Sequence, residues 1–129
     1  MIRPFKIKIS DKIIQDIYTK VEKYSWHEMP DDGGWAYGTN LDYLKEFSNY
    51  WINEFDWKKT EEKINKFKNF KSNIDGIDIH FIHEKGSGSD PKPLLLSHGW
   101  PGSIVEFLHI IEQLAHPEKF GGKEEDAFD

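Results

Sequence analysis

The feature that most constrains the fold is a junction in the second half of the chain. Leu94-Leu95-Leu96 form an uninterrupted apolar run, and His98-Gly99-Trp100-Pro101-Gly102 then forces a change of direction. Ile104, Val105, Phe107, Leu108, Ile111 and Leu114 follow at helical spacing and predict a helix ending near Ala115. A continuous apolar run is the pattern of a strand covered on both faces. Such a strand needs a layer on each side, so the junction predicts the strand–turn–helix unit of a layered α/β fold. Ligands in open α/β sheets bind outside the carboxyl ends of strands, which is where the turn falls.

The preceding residues have a different character. Phe5, Ile7 and Ile9 alternate with Lys6 and Lys8, the pattern of a short strand or an extended arm with one apolar face. Ser10 is an N-cap and Asp11 places an acid in the first turn of a helix carried by Ile13, Ile14, Ile17, Tyr18 and Val21 to about Tyr24. Residues 25–39 contain Pro30, Asp31-Asp32-Gly33-Gly34 and Gly38 and read as an irregular loop, which Trp26, Trp35 and Tyr37 should pack down. Thr39 or Asn40 caps a second helix with the stripe Leu41, Leu44, Phe47, Trp51 and Phe55, and a third runs from Trp57 to about Phe67.

The period then changes. Residues 70–74 read as a strand, Asp75-Gly76 is the strongest hairpin signal in the chain, and Ile77, Ile79, Phe81 and His83 alternate in the return strand. Gly86-Ser87-Gly88-Ser89-Asp90-Pro91 is a loop, and the residues after Ala115 show no periodicity. The expected organisation is therefore a helical region over residues 1–69 and the start of an α/β structure over residues 70–129.

The formal net charge of -6, with Glu124, Glu125, Asp126 and Asp129 near one end, offers no footprint for nucleic acid or anionic lipid. There is no cysteine, which excludes disulfides, thiolate catalysis and cysteine-ligated zinc. No apolar run is long enough to span a membrane, and the first residues lack the apolar core of a signal peptide, so a cytoplasmic chain is expected. His80 and His83 stand three apart on a strand, point to opposite faces and make a poor metal pair. No metal or cofactor is expected. Asp31-Asp32 and Glu61-Glu62 read as solvated acids.

Within the turn, Gly99 permits a backbone conformation that a side chain would oppose, and Pro101 removes one N–H and fixes the bend. Trp100 keeps its N–H, which can point toward a developing oxyanion, while Gly102 and Ser103 open a helix whose N-terminus adds positive potential. The same residues also suit a plain connection in which His98 is a satisfied strand-end histidine. His98 has no acid partner nearby in sequence and reads as structural rather than as a general base.

Several separated blocks, in order, resemble the microsomal-type epoxide hydrolases, including the juvenile hormone epoxide hydrolases. They are residues 4–10, the Trp35-Ala36-Tyr37-Gly38-Thr39-Asn40-Leu41-Asp42-Tyr43-Leu44 stretch, residues 51–57, Ile77-Asp78-Ile79-His80-Phe81-Ile82-His83, and His98-Gly99-Trp100-Pro101-Gly102-Ser103. The resemblance implies the N-terminal helical region and the first strands and helix of an α/β-hydrolase fold, truncated before the nucleophile elbow. It also implies a mechanism. An aspartate opens the epoxide to give an ester, a His–acid pair activates water to hydrolyse it, and two lid tyrosines donate to the epoxide oxygen. The backbone N–H of Trp100 would serve the oxyanion, and the Trp100–Pro101 bond would be cis.

The nucleophile, base, acid and lid tyrosines of that family lie beyond the turn motif, so no catalytic residue is assigned within this chain. The HGxP residues His98, Gly99, Trp100 and Pro101 are its site residues. The implied partner is a small-molecule epoxide in the complete enzyme. In the family's sheet the next strand lies between the hairpin and Leu94-Leu95-Leu96. Without it those residues would lack a backbone partner on either side, and the open edges would favour self-association. Two other readings are a non-catalytic interaction module and a fragment of another α/β-hydrolase, such as an esterase or a haloalkane dehalogenase.

Overall fold

The computed structural model describes residues 1–28 and 33–129, so the expected loop residues Pro30, Asp31 and Asp32 lie outside the described part. Two compact units are present: Lys8–Thr60, and Met1–Ile7 together with Glu61–Asp129.

The first unit is built on two helices, α1 (Asp11–Glu22) and α2 (Leu41–Asn53). Local capping sets both starts. Ser10 Oγ accepts from the Ile13 N–H at 3.3 Å, and Asn40 rather than Thr39 caps α2, with Oδ1 accepting from Tyr43 N–H at 3.0 Å. Their apolar stripes face a shared groove lined by Ile13, Ile17, Phe47, Tyr50 and Trp51. The Tyr18 hydroxyl donates to the Phe55 carbonyl at 3.0 Å. The Trp35 ring lies 5.2 Å from that of Tyr43, so this part of the loop rests on the first turn of α2. Trp35 and Tyr37 nonetheless stay largely exposed.

The second unit holds a three-stranded antiparallel sheet in the order β1 (Ile2–Pro4), β2 (Asn69–Ile74) and β3 (Ile77–Ile82). The hairpin turns on Asp75 (φ 50°) and Gly76 (φ 86°), both left-handed, with Ile74 opposite Ile77. The N-terminal alternation belongs to an extended arm that follows β1: Phe5, Ile7 and Ile9 are half-buried, and Lys6 and Lys8 are exposed. Asn65 clamps the arm at Ile7, accepting from its N–H at 2.9 Å and donating to its carbonyl at 2.8 Å.

Asn65 closes helix α3 (Trp57–Asn65). Glu62 is exposed, but Glu61 is buried, contrary to the expectation of a solvated pair. Positions 57, 61 and 64 share one helical face, and Ile64 on that face is 2% exposed, so the inward turn carries Glu61 with it. Buried Asn69 donates to the carbonyls of Ile64 (2.9 Å) and Phe67 (2.8 Å), and its Oδ1 accepts from His80 Nε2 at 2.8 Å. That amide joins the end of α3 to the sheet.

The later segments depart from the sequence expectation. Leu94-Leu95-Leu96 form no strand. The pairing is one parallel bridge, Lys92 with Phe128, and three bonds: Lys92 N–H to Ala127 O (3.1 Å), Asp129 N–H to Lys92 O (2.8 Å) and Leu94 N–H to Asp129 O (2.9 Å). Leu94 therefore does have a backbone partner on one side. The ladder stops there, no layer covers the next residue, and Leu95 is 91% exposed. The expected long helix is divided into a 3-10 turn, Ile104–Phe107, and a short helix α4, Ile111–Ala115. Helices draw most of their stability from packing an apolar face. Here that face looks into an open slot rather than onto a covered sheet. The tail is more ordered than its sequence suggests, with 3-10 turns at Pro117–Phe120 and Glu124–Asp126.

A helical N-terminal region followed by strands and a helix is the element order of an incomplete α/β-hydrolase fold. No helix among the described residues is long and apolar enough to cross a membrane.

Candidate functional site

An open slot of about 660 Å³ lies between β3 and the segment that leads into the HGWPG turn. Its walls include Ile79, Phe81, Leu94, Leu96 and Phe107, with His98 at its margin. Asp129 lines it too. The Asp129 carboxylate accepts from Gly86 N–H at 3.1 Å and lies 3.5 Å from His83 Nε2. The last residues thus stand between the end of β3 and Lys92–Leu94.

At the turn, the Trp100–Pro101 peptide is cis and Trp100 is 96% exposed. Among the described residues no group accepts a hydrogen bond from the Trp100 N–H. That donor is free to meet an external acceptor. His98 Nδ1 donates to the Gly99 carbonyl at 3.0 Å, which fixes a proton on that nitrogen and ties the ring to the turn.

The two glycines of the turn exchange the importance expected for them. A Cβ on Gly99 would meet nothing within 4 Å, and its φ lies outside the left-handed region, so packing within this chain does not require glycine there. Gly102 is the constrained position. A Cβ there would fall onto Glu106 Oε1 and within 2.7 Å of the Gly99 carbonyl. Ser103 forms a capping box: its Oγ accepts from Val105 N–H at 3.3 Å, and its own N–H donates to Glu106 Oε1 at 3.1 Å. Because only a four-residue 3-10 turn follows, the positive end of a long helix expected here is absent.

His80 of β3 and His83, one residue beyond that strand, serve separate partners. His80 binds Asn69, and burial, reinforced by the nearby Lys71 ammonium, pushes its imidazole below the ordinary histidine pKa. His83 faces Asp129, while Glu84 Oε1 accepts from Lys68 N–H at 2.6 Å. The described residues hold no group of three acidic or histidine side chains able to bind a metal ion.

A cluster missed in the sequence joins the loop to the tail. Ser87 Oγ lies 2.6 Å from His116 Nδ1 and donates to Glu118 Oε1 at 2.9 Å. Its composition suggests a nucleophilic triad, but the geometry does not. In such a triad the base stands between nucleophile and acid, each on its own ring nitrogen. Here serine and glutamate approach the same nitrogen, Glu118 at 3.9 Å, and the serine proton is already given to the carboxylate. With Ser87 N–H donating to Ala115 O at 2.8 Å, the cluster is a structural tie.

A family profile described as "Epoxide hydrolase N terminus" matches residues 2–107. "Epoxide hydrolase 1" of Sus scrofa is 45% identical over 132 residues, covering 99% of this chain and 29% of that protein. "Juvenile hormone epoxide hydrolase 1" of Ctenocephalides felis is 41% identical, covering 90% of this chain and 26% of its own length. Among solved structures, the juvenile hormone epoxide hydrolase of Bombyx mori superposes with a TM-score of 0.80 at 33% identity, over 88% of this chain and 28% of that one. The epoxide hydrolase of Aspergillus niger gives 0.80 at 30% identity, over 97% and 32%. The chain thus spans about a third or less of the proteins it matches. These relatives come from mammals, insects and a fungus, so the likeness is not confined to the microsomal type.

Proposed function

Since the chain belongs to the epoxide-hydrolase family, through that family's N-terminal domain, we propose that it contributes the oxyanion-binding turn of an enzyme that converts a small-molecule epoxide to a vicinal diol. Residues 1–69 act as the helical N-terminal region and residues 70–129 open the α/β core. The 45% identity to Epoxide hydrolase 1 favours an enzyme of the microsomal or juvenile-hormone type. In this reading an aspartate outside these 129 residues attacks an epoxide carbon, the C–O bond breaks, and lid tyrosines protonate the leaving oxygen. A His–acid pair, also outside, then directs water onto the ester carbonyl. Charge develops on that carbonyl oxygen, and the Trp100 N–H donates to it. His98, Gly99 and Pro101 hold the turn. The next strand fills the slot beside β3.

The observation that carries this reading is the unengaged N–H of Trp100, held in the turn beside the cis Trp100–Pro101 bond. The test is a single turnover of styrene oxide in ¹⁸O-water by the full-length protein carrying this segment. The ester route places an enzyme carboxylate oxygen in the diol, so first-turnover diol should be unlabelled. Labelled diol in that turnover would indicate direct attack by water, and no diol at all would exclude the epoxide reading. In isolation the 129 residues self-associate through the open edge of β3 and the exposed Leu95, and turn nothing over.

A further inference from the structure

We propose that Glu106 is a positioning residue for the oxyanion donor, an inference that rests on the reading of Trp100 given above. Two observations meet at its carboxylate. Oε1 accepts the Ser103 N–H at 3.1 Å, the first backbone donor after the turn. The same atom lies where a Cβ on Gly102 would stand, so the carboxylate is folded back against the turn rather than extended into solvent. The same Cβ position lies 2.7 Å from the Gly99 carbonyl, which is itself held by His98 Nδ1. The Gly99 carbonyl and the Glu106 carboxylate therefore crowd the same side of Gly102, and hydrogen bonds at Gly99 and Ser103 anchor the chain between them at both ends. Trp100 lies inside that span. Its N–H direction depends on both anchors, and Glu106 supplies the one on the helical side.

The chemistry makes the contribution specific to one step. Attack on the epoxide places no negative charge on an acyl oxygen, whereas hydrolysis of the ester does. A loosened turn should therefore slow ester hydrolysis and spare ester formation. Only an acceptor oxygen is needed at Ser103, so an amide should replace the carboxylate. Packing over Gly102 also favours a side chain of this length.

The test is rapid-quench kinetics of the full-length protein and its Glu106→Ala and Glu106→Gln variants, with ester formation and ester hydrolysis measured separately. Glu106→Ala should slow hydrolysis by about tenfold or more and accumulate ester, while formation stays within about twofold. Glu106→Gln should hydrolyse the ester within about twofold of the parent rate. If Glu106→Ala does not fold, Glu106→Asp, one methylene short of Ser103, is measured in its place and should slow hydrolysis in the same way. Equal slowing of both steps, unchanged hydrolysis in Glu106→Ala, or a Gln variant as slow as Ala would each overturn the inference. Those outcomes leave the oxyanion reading standing, whereas a parent enzyme that forms no ester overturns both.

Discussion

The backbone N–H of Leu94 donates to the carbonyl oxygen of Asp129 at 2.9 Å, joining residues 35 positions apart in the chain. The Asp129 side chain in turn accepts from Gly86 N–H, close to the end of β3. One residue therefore bridges the two walls of the slot. Beyond it the apolar edges, Leu95 foremost, remain uncovered.

Gly86 is where this bridge is most sensitive. It is buried, and a Cβ there would lie 2.7 Å from Pro91 Cβ and against the Phe128 carbonyl. Gly86→Ala should displace residues 127–129, at a cost of about 1–3 kcal/mol typical of overpacking. Amide exchange at Leu94 should accelerate by about tenfold or more, while exchange at Ile79 stays unchanged. Leu94 protection equal to the parent's would show that the tail does not depend on this contact.

Gly76 and Gly99 separate conformational from steric need. Neither would place a Cβ within 4 Å of a neighbour, but only Gly76 has a left-handed φ, of 86°. Gly76→Ala should weaken the hairpin by about 1 kcal/mol, read as faster exchange at Ile74 and Ile77. Gly99→Ala should change stability by less than about 0.5 kcal/mol. The reverse order in a denaturant titration would contradict the turn described here.

The Asn65 clamp is the third test. Asn65→Ala removes an acceptor and a donor to Ile7 together and leaves both backbone groups without their partner. A loss of about 1–3 kcal/mol is expected. Proteolysis within residues 5–9 should become faster, and Asn65→Asp, which keeps the acceptor alone, should fall between the two.

His80 sets a pH dependence. Burial and Lys71 lower its folded-state pKa below the ordinary 6.5, so the folded chain binds this proton less tightly than the unfolded chain. The stabilisation is therefore whole above the unfolded value and is lost as pH falls below it toward the lower folded value. The denaturation midpoint should drop as the pH falls below about 6.5. His80→Gln should flatten that drop, and an identical slope in the variant would rule out His80 as its source.

What the sequence made legible was local. Ser10, Asn40 and the Asp75-Gly76 turn act on neighbours within three residues, and each does what its residue type suggests. Glu61 departs from the sequence pattern because adjacent acids look solvated, and only the packing of α3 reveals which of the two turns inward. Ser87 and His116 stand 29 residues apart and leave no local signal. Leu94-Leu95-Leu96 and the helix after the turn failed for a different reason. Their apolar pattern describes burial in a covered sheet, and the partners that would cover them are not among these residues. The turn motif itself was legible, but the structure moves the demand for glycine from Gly99 to Gly102.

We propose that these 129 residues carry the oxyanion turn of an epoxide hydrolase whose nucleophile lies outside them. The direct measurement is diol formation from styrene oxide by the purified 129-residue chain beside the full-length protein, at equal concentration. Turnover is expected from the full-length protein and, from the 129 residues, none above the uncatalysed rate. Diol formation by the 129-residue chain alone would contradict it.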